Sequence, residues 1–96
     1  DVNSLLDEKL KAKLYSNIPN PFKEQTTISF FIPETSSRAS IHIYNLQGKQ
    51  IKQLNIESRG NGSVTINGYE LTPGMYMYTL IVDGKEIDTK KMILTE

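Results

Sequence analysis

Apolar and polar residues alternate along most of this chain, in short runs that end at glycine, proline or asparagine. Alternation with a period of two predicts β-strands that have one buried face. Three such strands are predicted, over residues 26–32, 39–45 and 63–66. Residues 50–56 predict a fourth strand, and their broken alternation indicates a β-bulge. Tight turns are expected between these strands, at residues 45–48, 61–62 and 67–68.

The longest apolar run, residues 75–82, predicts the central strand of the fold. One face of this strand would carry Tyr76, Tyr78, Leu80 and Val82, and the other Met75, Met77, Thr79 and Ile81. Because both faces are apolar, we expect both to be covered by other parts of the protein. Asp83 and Gly84 predict a tight hairpin that pairs residues 86–94 with the central strand.

Residues 3–13 are the only stretch with a helical pattern. Leu6, Leu10 and Leu14 recur at intervals of four and form a narrow apolar stripe. An isolated helix of this length is marginally stable in water. We therefore expect residues 1–14 to be a linker or helical neck after a preceding domain. An alternative is that the leucine stripe oligomerises the parent protein.

Residues 15–22 predict a stiff lead-in, because Pro19 and Pro21 restrict their own backbone and that of the residues before them. With a short pairing segment near residues 14–17, the chain has about seven strands and no helix among them. This pattern predicts an all-β fold: an immunoglobulin-like antiparallel β-sandwich of about seven strands, preceded by a short N-terminal helix or linker. The sandwich domain would span residues 15–96.

The composition narrows the possible functions. Ninety-six residues suffice for one small domain. The net charge of +0 gives no electrostatic basis for binding nucleic acid or an anionic membrane. The chain has no cysteine, which excludes disulfides and thiolate chemistry, and no apolar run approaches the ~18 residues of a transmembrane segment. Its first residues do not resemble a signal peptide, so we expect a piece of a longer protein.

Candidate catalytic and metal-binding residues are few. His42 is the only histidine and lies on a predicted strand, where a solvent-facing role is the default. Asp83, Glu86 and Asp88 lie around one turn, but their spacing matches no calcium loop, so we expect a charged strand edge. A sugar-stacking platform would use Tyr44, Tyr69, Tyr76 and Tyr78, although core packing is the commoner role of such aromatics. We expect no enzyme, no metal site and no cofactor.

Five stretches occur in a fixed order along the chain. They are a proline-rich lead-in at 14–22, a core strand at 27–30, a strand and glycine turn at 43–49, a leucine–glycine–tyrosine pattern at 71–78 and a basic-then-apolar ending at 90–94. Together they resemble the C-terminal sorting domain of type IX secretion cargo proteins from the Bacteroidota. One departure is Ser16, where that family often has glutamine or another polar residue. We expect structural roles for the motif residues Pro19, Asn20, Pro21, Phe22, Gly48, Gly74 and Tyr76.

The resemblance implies recognition rather than catalysis. Domains of this family fold in the periplasm, are recognised by the type IX translocon and its shuttle proteins, and carry the attached cargo across the outer membrane. A surface sortase then typically cleaves upstream of the domain, here in or before residues 3–16, and many cargo proteins become attached to an anionic lipopolysaccharide. The cargo is then on the outer-membrane surface or secreted.

The residues that we expect the translocon to recognise are Lys90, Lys91, Met92, Ile93 and Leu94. An unpaired outer edge of the last strand would offer its backbone to a partner strand, so deletion of residues 90–96 should abolish export. An alternative function is that of an accessory immunoglobulin-like module of an adhesin or carbohydrate-active enzyme, which binds glycan or spaces domains. The position of the domain in its parent protein distinguishes the two functions, because a sorting signal must be C-terminal whereas a binding or spacer module may lie anywhere.

Overall fold

The computed structural model describes residues 11–96, and seven β-strands in this range form two sheets. The strands are β1 (Lys13–Leu14), β2 (Gln25–Ile32), β3 (Ala39–Tyr44), β4 (Gln50–Asn55), β5 (Gly60–Asn67), β6 (Gly74–Val82) and β7 (Lys85–Leu94), with a 3₁₀ turn at Gly68–Glu70. One sheet has the order β1-β2-β5 and the other β4-β3-β6-β7. All of these strand pairs are antiparallel. The predicted all-β, immunoglobulin-like sandwich of about seven strands is confirmed.

The core lies between the two sheets and is built from alternate residues of the strands. In β2 the inward residues are Ile28, Phe30 and Ile32, none more than 2% exposed. The facing sheet contributes side chains that are 0% exposed, namely Ile41, Ile43, Tyr78, Leu80 and Met92. Burial of a side chain of this size stabilises a fold by about 1.5–3 kcal/mol. The period-two pattern of the sequence therefore determines which face of each strand turns inward.

The hairpin between β6 and β7 forms as predicted. Val82 pairs with Lys85, and the two loop residues, Asp83 and Gly84, have φ angles of 51° and 80°. Positive φ at both central positions is the requirement of a type I′ turn. The Asp83 carboxylate also accepts hydrogen bonds from the backbone N–H groups of Ser37 and Arg38, at 2.9 and 2.8 Å. These bonds tie the hairpin to the loop before β3.

Two edge strands carry β-bulges. The register between β3 and β4 shifts at Ile51, which confirms the bulge expected from the broken alternation. A second shift, between β6 and β7, leaves Ile87 without a partner and was not predicted. Bulges bend and twist an edge strand and so discourage pairing with another chain.

Only one face of β6 is buried, so the expectation that both faces are covered is wrong. Met75 is 37% exposed, and Met77 and Ile81 are half-buried. The reason is architectural, because the sandwich has two layers and residues 11–96 place no third layer over this face. Thr79 is the exception at 3% exposed, and its hydroxyl lies 2.8 Å from that of Thr89.

The predicted turn at residues 61–62 is also wrong, because both residues lie within β5. Asn61 pairs with Phe31 and Gly62 with Phe30. A Cβ atom on Gly62 would lie 2.9 Å from the Phe30 ring. Glycine at this position therefore gives room to a core aromatic ring instead of forming a turn.

The predicted helix over residues 3–13 is wrong where the structure can be compared with it. Residues 11–13 are not helical, and Lys13–Leu14 forms β1, which pairs with Phe31 and Phe30. Leu14 is 6% exposed and belongs to the core. Pairing with β2 and burial of this leucine outweigh a weak helical pattern. The rest of that helix lies outside the described residues, and the division into a linker, 1–14, and a domain, 15–96, stays a prediction.

Candidate functional site

The lead-in segment, residues 15–22, crosses from the three-stranded sheet to the last strand of the other sheet. At its start, the backbone N–H of Tyr15 donates to the Ser29 carbonyl, and Ile18 exchanges two hydrogen bonds with Thr27. Pro19 and Pro21 follow, with a cis peptide bond before each. The segment then reaches β7, so it connects the two sheets along one side of the sandwich.

The Tyr78 hydroxyl anchors the first half of the lead-in segment. It accepts a hydrogen bond from the backbone N–H of Asn17 at 2.8 Å and donates one to the Tyr15 carbonyl at 2.9 Å. The Tyr78 side chain is fully buried. Burial raises the pKa of this hydroxyl, the bond from Asn17 opposes that rise, and the negative charge of Asp88 adds to it. The neutral phenol is therefore the form that the fold stabilises.

Asn17 and Thr26 continue this polar cluster inside the protein. The Asn17 side-chain amide donates to the Thr26 hydroxyl at 3.0 Å and to the Pro19 carbonyl at 3.2 Å. The Thr26 hydroxyl donates to the same Pro19 carbonyl at 2.8 Å. Both side chains are at most 2% exposed. These three hydrogen bonds hold the lead-in segment against β2, although the Asn17 Oδ1 atom is buried without a partner among residues 11–96.

The second half of the lead-in segment pairs with β7 as an additional strand would. The Asn20 side chain accepts a hydrogen bond from the Ile93 N–H at 3.0 Å and donates one to the Lys91 carbonyl at 3.3 Å. The Phe22 N–H donates to the Ile93 carbonyl at 2.9 Å, and the Thr95 N–H donates to the Phe22 carbonyl at 2.8 Å. The outer edge of β7 is thus already occupied from Lys91 to Thr95, contrary to the expected free edge.

The five residues expected to be recognised divide into two groups. Met92 and Leu94 are buried, at 0% and 4% exposed, and form part of the core. Lys91 is exposed, while Lys90 and Ile93 are partly exposed. Lys90 turns toward Asp88, with 3.5 Å between its Nζ and the carboxylate. Only three of the five side chains are therefore accessible to a partner.

Lys91 and Ile93 belong to a patch on the outer face of the four-stranded sheet. Met77 pairs with Lys91 on one side and Tyr44 on the other, and Met75 pairs with Ile93. We call these five residues, Tyr44, Met75, Met77, Lys91 and Ile93, the outer patch. All five are partly or fully exposed. The outer patch combines apolar side chains with one lysine that has no acidic partner among the ion pairs of residues 11–96.

The remaining motif residues occupy turns and core positions. Phe22 is 2% exposed and Tyr76 is 5% exposed. The Tyr76 hydroxyl donates to the Thr72 carbonyl. Gly48 and Gly74 have φ angles of 83° and 153°, which side chains rarely permit. The structural roles that we expected for these motif residues stay a prediction.

The one histidine of the chain, His42, contacts two polar side chains. Its Nε2 atom lies 2.9 Å from the Ser40 hydroxyl, and its Nδ1 atom lies 3.0 Å from the side-chain oxygen Oε1 of Gln50. No group of three or more potential metal ligands occurs in residues 11–96. Tyr69 is 85% exposed whereas Tyr76 and Tyr78 are buried, so the tyrosines do not share a platform. No helix in this range could cross a membrane.

Comparison with known families adds the decisive observation. Residues 16–95 match the family model of the secretion system C-terminal sorting domain. The chain belongs to this family. The match includes the lead-in segment from Ser16 onward and all strands from β2 to β7, so the sorting domain and the sandwich are nearly the same unit. The type IX secretion family inferred from the motifs is confirmed.

Solved structures share the fold of this sorting domain. Dimeric latent PorU from Porphyromonas gingivalis superimposes with a TM-score of 0.71 at 23% identity, over 88% of this chain and 9% of the PorU chain. A β-glucosidase from Listeria innocua, in complex with glucose, gives a TM-score of 0.52 at 9% identity, over 90% of this chain and 16% of the other. The chain thus spans a small part of each. No curated protein matches it.

Proposed function

We propose that this sorting domain directs an attached cargo protein across the outer membrane through the type IX secretion system. The observation that carries the proposal is the match of residues 16–95 to the sorting-domain family. The domain would pass through the periplasm in folded form and be bound by the translocon and its shuttle proteins. Its role is that of a recognised surface, not of a catalyst.

We further propose that a surface sortase removes the domain by cleavage upstream of Lys13. Leu14 is buried, and Tyr15 and Asn17 are bonded to the Tyr78 hydroxyl. A protease needs an extended and accessible backbone, which this part of the chain does not offer. The cargo would then remain on the cell surface, attached to an anionic lipopolysaccharide, or enter the medium.

The outer patch is the surface that we propose the translocon reads. The patch contains Tyr44, Met75 and Met77, and aromatic residues and methionine are enriched in interfaces, while a charge at the rim such as Lys91 contributes specificity. Met92 and Leu94 would support this patch from inside by fixing β7 on the core. The lead-in segment would support it from the edge, through its bonds to Lys91 and Ile93.

The proposal is tested by fusing residues 1–96 behind a signal peptide and a fluorescent reporter in a bacterium with a type IX system. We expect the reporter on the surface or in the medium, and in the periplasm when the translocon is deleted. A reporter that stays periplasmic in both strains would refute the sorting function. Glycan binding or domain spacing, the alternative considered above, would then be tested next.

A further inference from the structure

A two-sheet sandwich has four strand edges, and three of them are protected here. β1 is two residues long. β4 has the bulge at Ile51. β7 has the bulge at Ile87, and the lead-in segment covers its C-terminal half. Short strands, bulges and covering segments are established devices against pairing with another chain.

The fourth edge, β5, has none of these protections. It is eight residues long, its sequence GNGSVTIN contains no charge and no proline, and its register with β2 is continuous over all eight pairs. Among residues 11–96, β5 pairs with β2 alone. Its Asn61, Ser63 and Thr65 side chains are exposed. A long, uncharged edge strand without a bulge is open to pairing with another strand.

The hydrogen bonds of β2 show which peptide groups of β5 point outward. Ser29 and Thr27 bond to Tyr15 and Ile18, away from β5. Because the direction of the N–H and C=O groups alternates along a strand, the β2 residues that bond to β5 are Thr26, Ile28, Phe30 and Ile32, which pair with Ile66, Val64, Gly62 and Gly60. The outward N–H and C=O groups therefore belong to the remaining residues of the strand, Asn61, Ser63, Thr65 and Asn67.

We propose that β5 pairs with β5 of a second copy of this chain, antiparallel across a twofold axis. The argument for a second copy is electrostatic: the edge has no charge and the whole chain has a net charge of +0, so two copies meet without repulsion. The contact would join two three-stranded sheets into one sheet of six strands. Such an isologous contact closes on itself and ends at a dimer.

The register of this contact follows from the geometry of β5. Side chains on one face of the sheet must remain on that face across the twofold axis. The axis therefore lies midway between a residue of one copy and the same residue of the other. An axis between the two copies of Val64 brings Asn61 opposite Asn67 and Ser63 opposite Thr65. The outward N–H and C=O groups of all four residues are then paired. Val64 would then face Val64 of the partner in a non-hydrogen-bonded pair, with about 4.5 Å between the Cα atoms. The Val64 side chain is only partly buried, so the contact would remove its exposed apolar surface from water.

The chain contains no cysteine, so single cysteines test this register directly. A Cα separation of about 4.5 Å lies within the range of a disulfide. We expect Val64→Cys to form a disulfide-linked dimer under mild oxidation. Ser63→Cys and Thr65→Cys are the matched controls, because each lies opposite the other and not opposite itself; we expect them to remain largely uncrosslinked.

Sedimentation equilibrium of residues 1–96 tests the dimer itself. We expect concentration-dependent dimers, lost in Thr65→Pro and in Ser63→Lys. The Thr65 N–H points away from β2, so proline at this edge position leaves the ladder with β2 intact. Circular dichroism would confirm that both variants are folded. A chain that is monomeric at its highest soluble concentration overturns the proposal, as does a dimer that persists in both variants.

Discussion

The Asn20 side chain accepts a hydrogen bond from the backbone N–H of Ile93, 73 residues further along the chain. Its amide group also donates to the Lys91 carbonyl, so one side chain occupies the place of a peptide group from a neighbouring strand. The first and last motifs of the family are thereby held together. The family signature at the two ends of the domain therefore describes one structural unit, formed by the lead-in segment and β7.

Replacement of Asn20 by alanine should lower the free energy of unfolding by about 0.5–1.5 kcal/mol, because two hydrogen bonds to the backbone of β7 are lost. Chemical denaturation measures the change. Asn61→Ala is the matched control, because Asn61 makes no side-chain hydrogen bond within residues 11–96 and is exposed. Equal stability of the two variants would contradict the role given to Asn20.

Replacement of Tyr78 by phenylalanine should cost about 1–3 kcal/mol, because the Asn17 N–H and the Tyr15 carbonyl lose a buried partner. Tyr44→Phe is the control, since Tyr44 is only half-buried and forms no hydrogen bond through its hydroxyl in the described structure. We expect less than about 0.5 kcal/mol for that change. A small effect at Tyr78 would show that the lead-in segment is held by other contacts.

Tyr78 also predicts a pH dependence of stability. Its pKa in the folded state is raised above the ordinary 10.0 by burial. Above pH 10 the unfolded state therefore loses this proton while the folded state keeps it, and the free energy of unfolding falls as the pH rises. Denaturation curves of wild type and Tyr78→Phe on either side of pH 10 measure this. A wild-type slope equal to that of the variant would contradict the prediction.

Two of the three methionines, Met75 and Met92, lie on opposite faces of the four-stranded sheet and should respond differently to substitution. Met92 is 0% exposed, so Met92→Ala should cost about 2–5 kcal/mol of stability. Met75 is 37% exposed, so Met75→Ala should cost less than about 0.5 kcal/mol while weakening export. Thermal unfolding and the reporter assay measure the two effects. Loss of export in Met92→Leu, with stability retained, would place Met92 in the recognition surface instead.

The burial of Met92 and Leu94 also changes the interpretation of a C-terminal truncation. Deletion of residues 90–96 removes Met92 and Leu94 from the core as well as any recognised group. Loss of export after that deletion is expected from unfolding alone. Single substitutions at exposed positions, such as Lys91, separate recognition from folding.

The period-two pattern predicted most of the strands, because burial on one face is a local property of the sequence. Ile28, Phe30, Ile41 and Ile43 are buried as their alternation required. The sequence predicted a short pairing segment near residues 14–17, but no local pattern showed that it begins at Lys13 and includes Leu14 as a core residue. Its place is determined by pairing with Phe30 in β2.

The candidate site was less predictable from sequence, because its contacts join residues far apart in the chain. The Tyr78 hydroxyl bonds to backbone groups 61 and 63 residues away. One local signal did exist at Asn20, a polar residue between two prolines, whose restricted backbone presents its side chain in a fixed direction. The apolar outer face of β6 predicted a second covered face. That face is instead partly exposed and contributes to the proposed outer patch.

The central claim is that the export machinery reads the outer patch, and one pair of charge reversals tests it most directly. Lys91 and Lys85 are both exposed lysines of β7, but only Lys91 lies in the patch. In the reporter assay we expect Lys91→Glu to reduce export about tenfold, the factor that corresponds to a loss of about 1.4 kcal/mol in binding. Lys85→Glu should export as wild type does. Normal export of a folded Lys91→Glu variant, or equal loss in both, would contradict the account.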